Sequence, residues 1–179
     1  MKDEPTRQQL LHTWTVDCGS RGRDEVYGAV CSPDAGSGSL AYHRITGKRE
    51  SLVYRADQFA EETCVAENTY ILSPCFAANR LFWSAPRQGA WNIESVMIEG
   101  DRTEGEPHQV QCAGRPTSLS SFSSPDGAIL VWEERAGKST GIRLSLLSDT
   151  GPGTPITITS GEYNGYDPCC CIGPDGTIY

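Results

Sequence analysis

Apolar residues along this chain fall into short runs, most alternating with polar ones and each bounded by Gly, Pro, Asp or Asn. That period of two predicts half-buried β-strands separated by tight turns. No window sustains the i, i+3, i+4, i+7 spacing of an amphipathic helix, and QFAEE after Asp57 amounts to one helical turn at most. Four stretches superpose: VCSPDAGSGSLAYHR from Val30, PCFAANRLFWSA from Pro74, SSFSSPDGAILVWEE from Ser120 and CCCIGPDGTIY from Cys169. Each is a run, a tight turn and an apolar strand. The turns use Pro for its fixed φ, Asp for local hydrogen bonding and Gly or Asn for positive φ. The aromatic after the turn falls at Tyr42, Trp83 and Trp132, 41 and 49 residues apart.

A β-repeat of roughly 40 to 50 residues has the length of a propeller blade. SLVYRA, WNIESVMI and IRLSLLS read as third strands, and TCVAE, HQVQC and PITITS as fourth strands. A β-sandwich offers no reason to repeat one hairpin at a fixed offset. The expected fold is therefore all-β, a β-propeller of four-stranded antiparallel blades in an incomplete ring. Blades are expected at about 27–70, 71–115 and 116–166, and a fourth starts at 167–179. Residues 1–26 form an N-terminal segment in which LLHTWTVD reads as a ring-closing strand. The ring cannot close on three units and one hairpin, so self-association or further blades are expected.

The strand–PDG–strand–aromatic unit, above all SSPDGAILVWEE and YDPCCCIGPDGTIY, resembles the blades of sialidase-like and TolB-like β-propellers over about residues 27–179. A sialidase Asp-box reads S-x-D-x-G-x-x-W; here Gly127 follows Asp126 directly, and Trp132 lies six residues after that Asp. The resemblance implies, as the alternative function, a glycoside hydrolase or lyase. In it an arginine cluster holds a substrate carboxylate, an Asp acts as acid, and a Tyr assisted by Glu acts as nucleophile. Arg23, Arg115, Asp24 and Tyr166 are the atoms available for it, and no catalytic set is assigned.

Connectivity indicates where a ligand would sit. In a four-stranded antiparallel meander the first-to-second and third-to-fourth turns share one rim, so the PDG turns lie at the bottom. The inter-blade links and second-to-third loops share the top. The links bring Arg23, Asp24, Tyr27, Tyr70, Arg115, Asn164, Tyr166 and Asp167 to that top rim as candidate ligand-binding residues. The loops place Arg87, Trp91, Glu133 and Glu134 further out. Glu133 and Glu134 are adjacent in an extended segment and must point to opposite faces.

Composition narrows the chemistry. A net charge of −8 disfavours nucleic acid as partner. Twelve of the fifteen basic residues are arginines, suited to gripping carboxylates. No apolar run of membrane-spanning length and no signal peptide occurs, so the expectation is no membrane partner and a cytoplasmic location, or an extracellular or periplasmic one if a signal precedes the sequence. The eight cysteines read as mostly buried free thiols. Cys169, Cys170 and Cys171 alternate faces in a strand, which keeps three thiolates from closing on one zinc, so neither metal nor cofactor is expected. HExxH, the nucleophile elbow, the P-loop and the dinucleotide fingerprint are all absent. The sequence therefore points to a binding module presenting its top rim to a small carbohydrate, a peptide or a protein.

Overall fold

The structure is a computed structural model and describes residues 24–31, 39–57, 60–67, 70–148, 151–159 and 165–179, with the backbone alone at 24–29 and 31. Arg23, Asn164 and the LLHTWTVD segment lie outside the described residues. The described residues are all-β, and among them no helix is long and apolar enough to cross a membrane.

Strands β1 (Asp24–Cys31), β2 (Leu40–Thr46), β3 (Arg49–Arg55) and β4 (Thr63–Glu67) form an antiparallel meander, the first sheet. Strands β5 (Leu72–Ala77), β6 (Arg80–Arg87), β7 (Ala90–Glu99) and β8 (Arg102–Gln111) form the second. The third runs β9 (Arg115–Ser124), β10 (Gly127–Ala136) and β11 (Ser139–Ser148), and its outer edge is shared by β12 (Gly151–Pro152) and β13 (Ile156–Thr157), both paired with β11. Pro152 and Pro155 have no N–H to give that edge, which interrupts it. The Gly153 N–H reaches Leu146 O at 2.8 Å, and Ser145 Oγ donates to Gly153 O at 3.0 Å, so the gap is bridged. A hairpin follows, with Ile172 bridged to Ile178.

Turn chemistry sets these hairpins. Ala78 and Asn79 both take left-handed φ, 47° and 55°, the primed geometry that matches strand twist. At the Pro125–Asp126 turn, Gly127 has φ 131°, and a Cβ there would stand 2.0 Å from Leu147 O, so only glycine fits.

Each inner strand carries a bulge in the same place, where two residues oppose one aromatic. Gly28 and Ala29 face Tyr42, Ser73 and Pro74 face Trp83, and Ser118 and Leu119 face Trp132. The extra residue bends the inner strand around the large ring on its neighbour. Ser73 and Ser118 pay for this with a φ of 49° each. Asp167, before Pro168 and Cys169 as Ser73 is before Pro74 and Cys75, has φ 48°.

The sheets stack face to face. Ala41, Leu52 and Tyr54 of the first pack on Phe76, Leu81 and Trp83 of the second. The other face of the second, with Phe82, Ile93 and Val110, packs on Leu130, Trp132 and Leu147 of the third. Beyond it, Ile129, Val131 and Leu144 receive Cys170 and Ile172 of the terminal hairpin. Each sheet thus has a leading face, bearing Tyr42, Trp83 or Trp132, and a trailing face that receives the next unit. All three rings are fully buried, and burying each stabilises by roughly 2–3 kcal/mol. Inner strand β5 touches β1 and β9, and outer strand β8 touches β4 and β12, so inner edges lie with inner and outer with outer.

Candidate functional site

The registers separate two ends. Thr46 pairs with Asp24 and Arg49, Arg87 with Ala90, and Arg135 with Arg115, which puts the β2–β3, β6–β7 and β10–β11 turns at one end with the starts of the inner strands. Asp24, Tyr70, Arg115, Tyr166 and Asp167 all belong to this link end. Tyr27, paired with His43, lies further along β1.

Arg115 opens β9, and its guanidinium carbon lies 5.2 Å from the centroid of the Trp91 ring on β7. The stack fixes the direction of an otherwise mobile side chain without neutralising it. Among the described residues no carboxylate pairs with Arg115. Tyr70 and Tyr166 are each 65% exposed, open aromatic faces on the links before β5 and before the terminal hairpin.

Asp167 is held from two sides. Its N–H donates to Glu133 Oε1 at 2.6 Å, and Ser118 Oγ donates to its Oδ1 at 3.0 Å. Thr117 Oγ1 donates to Glu133 Oε2 at 3.1 Å. The bulge places Ser118: its left-handed backbone aims the hydroxyl at the equivalent position of the next unit. Glu134 points the opposite way, accepting from Arg143 Nε at 2.9 Å and from Ala113 N–H at 3.1 Å. The two glutamates therefore serve different faces, as their adjacency requires.

Of the sequence candidates, Asp167 is joined by hydrogen bonds to Ser118 and Glu133, and Arg115 by stacking to Trp91. Ser118 and Thr117 were not among the candidates. Their signal was the repeated Ser-Pro-Cys and Asp-Pro-Cys at Ser73 and Asp167, which marks the bulge but not the partners it would meet.

A Tyr–Glu pair exists elsewhere, on the leading face of the first sheet. Tyr42 donates its hydroxyl to Glu62 Oε1, and Arg44 grips the same carboxylate through both terminal nitrogens at 2.8 Å. Burial, then Glu62, pushes the Tyr42 phenol well above its ordinary range, and Arg44's hydrogen bonds hold Glu62 below its own. This environment opposes a phenolate nucleophile and reads as a structural clamp. Among the described residues no three potential ligands cluster for a metal ion. Cys169 and Cys171 are exposed, while Cys170 faces the third sheet.

Compared with known proteins, the chain matches no family model and no curated protein.

Proposed function

We propose that the three sheets are blades of a β-propeller-type binding module and that the link end takes a carbohydrate or peptide carrying a carboxylate. Three features support the propeller: the meander repeated in each sheet, the bulge opposite each leading aromatic, and the contact of inner strands with inner strands. The observation that carries the site is Arg115, laid on Trp91 and without a carboxylate partner among the described residues, at the end that also bears two open tyrosines. A fork of fixed donors suits a carboxylate, and aromatic faces suit a sugar ring or an apolar side chain.

The test is an array of acidic and neutral oligosaccharides and peptides, followed by titration calorimetry on any hit. Binding to acidic members is expected, weakened about tenfold or more by Arg115→Ala, equivalent to about 1.4 kcal/mol. The melting temperature should barely move, because an exposed substitution costs under about 0.5 kcal/mol. A hit that Arg115→Ala leaves intact, or no hit at all, overturns the assignment.

A further inference from the structure

We infer that the free edge of β8 around Gln109 and Gln111 docks an extended peptide segment of a partner protein, one with basic residues at its C-terminal end. The Cys112 N–H donates to Trp91 O at 3.2 Å, so by alternation Val110 and His108 also turn their backbone groups toward β7. Gln109 and Gln111 then turn N–H and C=O away from the sheet, and among the described residues nothing bonds to these groups. They repeat at roughly 7 Å, the two-residue step of a strand. An extended backbone meets that spacing with its own alternating donors and acceptors.

Two features set this stretch apart from the rest of the outer wall. Between the first and second sheets the outer strands are tied, Tyr54 Oη to Gly100 O at 2.9 Å and Thr63 Oγ1 to Asp101 O at 3.2 Å. Between the second and third, the edge broken at Pro152 and Pro155 leaves a cleft of about 490 Å³ against residues 109–113, with Val110 and Cys112 buried at its floor. Side chains on one side of a docked strand would rest on those prolines. Protection within β8 itself also stops short of the cleft. Its first half carries a bulge, Gly105 at φ 75°, the charges of Arg102, Glu104 and Glu106, and Pro107, whose missing N–H falls on the free side. These are devices that keep an edge unpaired. The following HQVQC has none of them.

Charge selects the occupant. Glu104 and Glu106 are exposed, and among the described residues no basic side chain pairs with either. The net charge of −8 repels a second copy of this chain and attracts a cationic segment. Antiparallel pairing, the more stable ladder, starts the peptide beside Gln111 and brings its C-terminal end to Glu106 and Glu104. The Arg115 side chain takes no part, so this site stands or falls apart from the link end.

Amide NMR of the isotope-labelled 179-residue chain, titrated with the synthetic peptide acetyl-TVTVRR-amide, tests this. Saturable shifts and slowed hydrogen exchange are expected at the amides of Gln109 and Gln111. Methylating one alternate set of the peptide's backbone nitrogens should abolish binding, and methylating the other set should leave it, as pairing along one edge requires. Gln111→Pro removes an outward N–H and should lose the peptide with the fold retained, checked by far-ultraviolet circular dichroism. Glu104→Lys with Glu106→Lys should weaken this peptide about tenfold and favour acetyl-TVTVEE-amide instead. No shift at Gln109 and Gln111, tolerance of both methylated sets, or an unchanged preference in the charge-reversed chain overturns the proposal. The same shifts arising without peptide as the chain is concentrated would assign the edge to a second copy and overturn it too.

Discussion

His43 has its imidazole partly buried against Glu50, Nε2 to Oε2 at 3.4 Å, and burial outweighs the carboxylate, so its pKa is lowered from 6.5. The unfolded chain then binds that proton more readily, and stability falls as pH drops below about 6.5. Glu62, held down chiefly by Arg44, adds a second loss as pH falls through and below its ordinary 4.5. At the alkaline side the sign reverses. Burial pushes the Cys75 and Cys112 thiols up from 9.0 to about 12, so the unfolded chain loses those protons first, and stability falls as pH rises above about 9. The melting temperature should form a plateau between about pH 7 and 8.5 with a decline on each side. Cys75→Ala and Cys112→Ala together should flatten the alkaline limb, and a limb unchanged in that double variant contradicts the thiol account.

At the scale of elements, the inner-strand bulge gives the sharper test. Ser73 and Ser118 share φ 49°, a conformation that costs an L-residue about 1–2 kcal/mol and glycine far less. Ser73→Gly should raise stability by up to about 1 kcal/mol in denaturant titration. Ser118→Gly should gain little or nothing, because it also gives up the hydroxyl that reaches Asp167 at 3.0 Å. Equal gains at both sites would mean that this hydroxyl contributes nothing. The bulge also explains what the sequence shows and hides. Turns were readable because PDG and AAN are local, and the hairpins follow them. The aromatic spacing of 41 and 49 residues is irregular because the hairpins differ in strand length: the Ala78–Asn79 and Pro125–Asp126 turns both have two residues, but β9 and β10 run further past the bulge than β5 and β6, whereas the bulges at residues 28, 73 and 118 recur evenly. The fourth strand of the third sheet, expected as PITITS, is instead split around Gly153, since its two prolines leave the ladder short of donors. At the candidate site Arg115 and Asp167 could be placed by connectivity alone. Their partners Trp91, Ser118 and Glu133 come from other strands, and only register and twist decide that they meet.

Across the whole molecule, stability is distributed by how many faces of each sheet are covered. The second sheet lies between two apolar clusters, with Leu81, Trp83 and Val96 toward the first sheet and Phe82, Ile93 and Val110 toward the third. Tyr54 Oη ties the first sheet to the Gly100 carbonyl at 2.9 Å, and Ser121 Oγ ties the third to Phe76 O at 2.9 Å, so polar bonds also converge on it. Opening the second sheet requires parting both interfaces. The third sheet's outer edge is held by one pair of short strands over half-exposed isoleucines. In a stack where each layer touches only its neighbours, opening free energy should follow this order. Native-state hydrogen exchange should therefore find the amides of β6 and β7 slowest, those of β10 and β11 intermediate, and those of residues 151–159 and the terminal hairpin fastest. Trp83→Ala, which empties the first interface at a cost of about 3–5 kcal/mol for a buried aromatic, should speed exchange in β2 and β3 as well as in β6, and leave the relative order within the third sheet unchanged. Uniform protection across the three sheets would instead mean that the stack opens only as one body, and that the contacts between sheets are as strong as the ladders within them.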